Sequence, residues 1–171
     1  LSMMSVEHIR LDIDNHPFYL DGKFSLDNSS GDFDLAINTH SINFSKASSI
    51  LTKQIRRTLD RYACTKPVSV TVKLSGKTLP YFIPLVEVNM DVKNNNVITP
   101  EGTFEDCSFH GFFSNEKVAG ELRDDPNSYL LLTEFSGSWE KIPVKSRSIK
   151  ISNLVTPFVE CDVASEFDLT S

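Results

Sequence analysis

Hydrophobic and polar residues alternate with a period of two through most of the chain, the mark of strands with one buried and one wetted face. Ile9, Leu11 and Ile13 alternate with Arg10, Asp12 and Asp14, and Phe33, Leu35 and Ile37 with Asp34, Ala36 and Asn38. Val68, Val70, Val72 and Leu74 are separated by Ser69, Thr71 and Lys73; Val86, Val88, Met90 and Val92 by Glu87, Asn89 and Asp91. Near the end, Val159, Cys161, Val163, Phe167 and Leu169 share one parity, and Glu160, Asp162, Glu166 and Asp168 the other. Parallel sheets buried on both faces give continuous apolar runs instead, so the pattern predicts an antiparallel sheet with one wet face.

Turn chemistry punctuates these runs. Asp27-Asn28-Ser29-Ser30-Gly31 between two Phe-x-Leu segments reads as a hairpin, and Asn94-Asn95-Asn96 between Val92 and Val97 as a second, because Asn tolerates the left-handed conformation. A longer polar connection, expected to be the most mobile, runs from about Asn115 to Asn127. Phe109-His110-Gly111 and Phe135-Ser136-Gly137 set an aromatic ring and a glycine on one strand face, where the ring could cover the glycine backbone. One segment breaks the period. Ala47, Ile50, Leu51, Ile55, Leu59 and Tyr62 recur at three- and four-residue steps, which predicts a helix over about 46–62. Ser45 is the expected N-cap, and Lys66-Pro67 blocks continuation. A helix this short needs to pack its apolar stripe on the sheet.

Composition narrows the function classes. The chain has 171 residues, which fits one domain over 1–171, and 12 Phe against a single Trp suits a strand-built core. A net charge of −6 argues against nucleic acid as a partner, since that affinity comes largely from clustered Lys and Arg. The basic cluster Lys53, Arg56, Arg57 and Arg61 reads as a solvated helix face. No apolar run approaches the ~18 residues of a membrane span, and the N-terminus lacks the features of a secretion signal. Starting at Leu1 rather than Met suggests a processed or excised chain. Cys64, Cys107 and Cys161 are odd in number and lack zinc-like spacing, so they read as free, partly buried thiols, with one disulfide plus a spare as the alternative.

Catalytic chemistry finds little support. His8, His16, His40 and His110 form no HExxH or HxH arrangement. Cys107 and His110, three apart on a strand, point to opposite faces and cannot form a nucleophile–base pair. The pairs Asp12/Asp14, Asp32/Asp34 and Glu166/Asp168 lie side by side on strands, but no calcium loop accompanies them. No glycine-rich phosphate cradle or Gly-x-Ser-x-Gly element occurs. The expectation is therefore no catalytic residue, no metal and no cofactor.

Taken in order, several stretches resemble the AsmA-like family of Bacteroidota type. They are Asn15-His16-Pro17-Phe18 with Leu20 and Gly22; Phe33-Asp34-Leu35; Tyr81-Phe82-Ile83-Pro84 leading into Val86 to Val97; and Asp106 through Asn115 with its Phe109-His110-Gly111 centre. Phe135-x-Gly137-x-Trp139, Ile142-Pro143-Val144, Ile149-x-Ile151-x-Asn153-Leu154 with Pro157, and Cys161-Asp162 continue the likeness. The resemblance covers nearly all the chain from about residue 15 and rests on order and spacing. It implies a β-sheet curled into a trough, as in TamB-like and bridge-like lipid transfer proteins. It also implies a periplasmic protein held at the inner membrane by an anchor outside this chain, engaged in outer-membrane biogenesis and lipid traffic without catalytic residues. A chain of this length would supply one section, adjoining other sections of the same protein.

A sheet with one apolar face must cover it with a second layer, a helix or a ligand. The fold expected is thus mainly β, an open or half-open antiparallel trough with one α-helix packed on it, the alternative being a closed β-sandwich. In the trough, Val70, Val72, Leu74, Val88, Met90, Val92 and Phe109 would line an apolar groove for lipid acyl chains. The competing readings are a surface adhesin or carbohydrate-binding sandwich using Trp139, Tyr81, Tyr129 and Phe112 and, more remotely, a hydrolase built on the acidic pairs.

Overall fold

A computed structural model describes residues 3–13, 15–26, 31–49, 56–57 and 60–165. The alternating runs form strands β1 (Met3–Ile13), β2 (His16–Ser25), β3 (Asp32–Ile42), β4 (Ala63–Cys64), β5 (Val68–Lys77), β6 (Leu85–Thr99), β7 (Gly102–Ser114), β8 (Tyr129–Trp139), β9 (Ile142–Ser152) and β10 (Phe158–Cys161). They make one open sheet ordered β1-β2-β3-β5-β6-β7-β8-β9-β10, antiparallel throughout, with β4 pairing to β6 past the end of β5.

The register converts sequence parity into two chemically different faces. Ile9, Leu20, Ile37, Val72, Val88, Phe113, Leu130, Ile151 and Val159 are successive cross-strand partners, an apolar row spanning nine strands. One residue along, the row on the opposite face reads Arg10, Tyr19, Asn38, Thr71, Asn89, Phe112, Leu131, Lys150 and Glu160. Among the described residues all ten strands lie in this one sheet, and no pairing joins its edge strands β1 and β10, so the sheet is open. The alternative of a closed β-sandwich is thereby replaced by the open trough. The accessible surface, 11175 Å² for 19.2 kDa, agrees. A compact monomer of that mass would expose roughly 8,400 Å².

Burial is deepest at one end of the sheet. Ile42, Val68, Val92 and Cys107 are almost fully buried there, together with Phe18, Val70, Val72, Phe109 and Phe135. In a single layer of strands this depth requires the sheet to curl about its apolar face, with α1 (Phe44–Ser49) at the same end. Bulges supply the curl, because an extra residue bends a strand and increases its twist. The register shifts in β6 between Val92 and Val97, and in β7 between Glu105 and His110. Asn94, Asp106 and Glu134, on three neighbouring strands, each adopt positive φ at these shifts.

Three expectations need correction. Asn94-Asn95-Asn96 makes no hairpin: β6 runs straight through it, and the turn comes after Thr99. The left-handed tolerance of Asn is used for a bulge, and the Asn95 side chain, nearly fully buried, donates to Lys66 O and accepts from Lys66 N at 2.9 Å each. Second, the described helix is the six-residue α1, with residues 56–57 also helical; residues 60–62 are turn and coil, so the helix does not reach 62. Residues 50–55 and 58–59 of the expected span lie outside the described residues. The helix opens at Phe44, with Asn43 accepting from Lys46 N through its backbone carbonyl, so Ser45 sits inside the first turn rather than at the cap. Third, the space beside Gly111 and Gly137 is filled across the ladder, by Met90 and Leu132 and by Cys107, rather than by the phenylalanine two residues back. A Cβ at Gly137 would lie 2.9 Å from Cys107 Sγ.

On the apolar face, opposite Val70, the Thr39 hydroxyl is buried and has no hydrogen-bond partner among the described residues. An unpaired buried hydroxyl costs about 1–3 kcal/mol. Thr39→Val should therefore stabilise the fold by roughly 1 kcal/mol, read as a rise in the urea midpoint at unchanged slope. A midpoint that falls would show that the hydroxyl is satisfied in solution.

Candidate apolar groove

The seven residues expected to line a groove do share one face. Val70 lies opposite Met90, Val72 opposite Val88, and Val92 opposite Phe109, with Leu74 continuing β5 opposite Val86. Val70, Val72, Val92 and Phe109 are buried floor, whereas Leu74, Val88 and Met90 are only half-buried. The accessible apolar surface continues outward on both sides. Leu20, Phe24, Phe33, Leu35 and Ile37 are half-buried on one wall, and Leu130, Leu132, Ile149 and Ile151 on the other. At the edges exposure rises further, with Ile9, Leu11 and Ile13 on β1 and Val159 on β10 all exposed. These walls were not singled out from sequence, although their parity was visible; only the register joins them to the central strands.

Among the described residues, the acidic and histidine side chains of the polar face lie dispersed. Asp91 and His110 are cross-strand partners whose side chains pair in solvent, with Cys107 on the other side of β7 in the core. Asp12 is engaged by Arg10 at 3.1 Å, and Asp32 and Asp34 are exposed along β3. Asp14, Glu166 and Asp168 lie outside the described residues. Among the described residues no three His, Cys, Asp or Glu side chains gather as a metal site. The proposed sugar-stacking aromatics are dispersed. Phe112 and Tyr129 form a tilted pair at 5.8 Å, Trp139 stacks on Phe104, and Tyr81 is fully exposed on the β5–β6 connection at the opposite end from Trp139.

A shallow hollow of about 500 Å³ lies between β8, β9 and the segment after β10. Its one strongly held charge is Asp162, which accepts from Ser146 Oγ at 2.8 Å, Ser148 N at 3.0 Å and Arg147 Nε at 3.0 Å. These bonds, the Ser146 hydroxyl foremost, hold its carboxyl down to about 2. The three bonds all run to β9, which makes it a clasp between that strand and the segment after β10.

The three thiols are free. Cys64 on β4 faces Val97 and Cys107 on β7 faces Asn95, on opposite sides of β6. Two strand spacings, about 9.6 Å, separate their backbones, beyond the reach of a disulfide. Burial pushes the Cys64 thiol up to about 11 and raises Cys107 as well. Cys161 is exposed on the edge strand.

Compared with family models, with curated proteins and with solved structures, the chain matches none.

Two measurements check this geometry. With a thiol reagent near neutral pH, one cysteine, Cys161, should react quickly, and Cys64 and Cys107 only on unfolding; three fast thiols would refute the burial. The Asp162 carboxyl, depressed in the folded state, contributes stability above its ordinary value of about 4 that is lost as pH falls toward 2. Asp162→Asn should therefore flatten the decline of the melting temperature between about pH 4 and pH 2; identical acid profiles would show that the clasp does not form.

Proposed function

We propose that this chain is a non-enzymatic section of an AsmA-like envelope protein that holds lipid acyl chains against the apolar face of its sheet. The observation that carries the reading is the apolar row across nine strands on a single-layered, open sheet. Exposed contiguous apolar surface on this scale is unfavourable in water and marks a surface built to be covered. An acyl chain suits it: the surface is long, unbroken by charge and lacks the directed polar groups that a specific polar ligand needs, and each buried methylene contributes about 0.8 kcal/mol. Half-buried Leu74, Val88 and Met90 and the flanking walls are the contact surface; the deeply buried floor holds their positions.

The remainder of the reading rests on the family resemblance. Adjoining sections of the same protein would extend the trough from its edge strands, and an anchor outside this chain would hold it at the inner membrane, on the periplasmic side. Among the described residues no helix is long and apolar enough to cross a membrane. The work assigned to the section is lipid handling in outer-membrane biogenesis.

Met90→Asp tests the central claim. Met90 is half-buried on the open face, where a carboxylate keeps access to water. The variant should fold, with a melting temperature lowered only modestly, and should lose lipid that co-purifies with the wild type or crosslinks to it from a photoactivatable fatty acid. In a closed core, an unpaired carboxylate would cost several kcal/mol and unfold the domain. A lipid-free wild type together with an unfolded variant would overturn the proposal.

A further inference from the structure

We infer that two copies of this chain pair antiparallel along the free edge of β1, joining their sheets and their apolar faces into one trough. The two edges of the sheet are built differently. β10 is four residues long and follows Pro157, and the segment after it is clasped to β9 by Asp162. Shortness and a flanking proline guard an edge against capture of a foreign strand. β1 is eleven residues long and contains neither proline nor lysine, and among the described residues it pairs with β2 alone. Its apolar side, Met4, Val6, Ile9, Leu11 and Ile13, carries no charge, and all but Val6 are exposed. An edge so long and unguarded is a template for a further strand.

The strand selects its own copy because it is complementary to itself. Glu7 and His8 together stand opposite Asp21, a bulge that moves the apolar side from even positions up to Val6 to odd positions from Ile9. Of the two-fold pairings that keep the apolar sides of two such strands in phase, the one centred on Ile9 engages the most of the strand, from Met4 to Ile13. Each bulge then falls opposite Arg10 of the other copy, so that Glu7 and Arg10 meet as opposite charges at two places. Leu11 faces Val6 and Ile13 faces Met4, apolar against apolar in each case. Centring on Arg10 or Asp12 would set like charges against each other, and centring on Leu11 would pair only Ile9 to Ile13.

The same centre brings the two sheets into line. Ile9 begins the apolar row that ends at Val159, so an Ile9–Ile9 pair joins the rows of both copies without a step. A two-fold contact of this kind uses the same edge on both copies and closes at the dimer. The edges that remain are the two β10 ends, where an adjoining section would continue the trough by chain connectivity rather than by capture.

The pairing does not depend on lipid in the groove, and the two readings fail separately, one by mass in solution and the other by co-purified lipid. Sedimentation equilibrium of the chain at micromolar concentration should give twice the mass of one copy. Arg10→Glu sets a carboxylate against Glu7 at both places and should raise the dissociation constant about tenfold or more. Glu7→Arg combined with Arg10→Glu brings opposite charges together again and should restore the dimer. Both sites are exposed, so these variants should melt near the wild type. Should Arg10→Glu unfold, Ile9→Lys, which opposes two ammonium groups at the centre, carries the comparison. Val159→Lys, at an exposed apolar site on β10, should dimerise like the wild type. A monomeric wild type, an undisturbed Arg10→Glu dimer, a charge swap that fails to restore it, or equal loss from Val159→Lys would overturn the inference.

Discussion

Everything in this molecule depends on keeping one register across an unusually wide sheet. Because side chains alternate strictly, a one-residue slip between any two strands would carry every apolar residue beyond that point to the wet face. The row from Ile9 to Val159 crosses eight strand pairings without such a slip. Its cross-strand contacts and the hydrophobic effect reinforce one another, since each correct pairing places the next strand's apolar side in line. The bulges in β6 and β7 come in matched positions and therefore bend the sheet while leaving the far rows in phase.

Much of this was legible in the chain. Period-two runs mark the strands, and their one-sidedness separates an antiparallel sheet with a wet face from a doubly covered parallel one. The seven residues expected to line a groove follow from that parity, and the structure brings all of them to one face. What parity does not carry is lateral order. Leu20 and Ile37 share a row with Val88, and so do Leu130 and Ile151, only because β3 skips to β5 and every later strand folds back on its predecessor. The asparagine run forms strand rather than turn for a physical reason: left-handed tolerance serves a tight turn and a bulge equally well, and the choice depends on whether the strand has partners on both sides. Here β7 pairs with β6 before and after the run, so extension wins.

The polar residues that hold the irregular parts were the least visible. Asn95, Asn115 and Asn127 look like turn residues in sequence, yet each is buried and bonds backbone, the first two in segments 29 residues away and Asn127 across its own connection at Val118. Asp162 looks like one more exposed acid in an alternating run, and only three-dimensional pairing identifies it as the clasp that ties the chain after β10 to β9. Such groups obey no periodicity, since their positions are set by where a backbone N–H or C=O would otherwise go unpaired.

The unequal burial along the sheet separates stability from accessibility. Toward α1, Ile42, Val68, Val92 and Cys107 are sealed and pack into one cluster, so they contribute to folding whether or not anything else is bound. Toward the end that carries the β5–β6 and β7–β8 connections the cluster thins to Val86 and Phe113 with half-buried neighbours, and the apolar surface opens to solvent. Were the whole face packed like the first half, no apolar surface would stand open to solvent. Were it all open like the second, the sheet would lack the core it needs to fold. One sheet reconciles a folding core with an open apolar face by distributing the two along its length, sealed toward α1 and open toward the β5–β6 and β7–β8 connections.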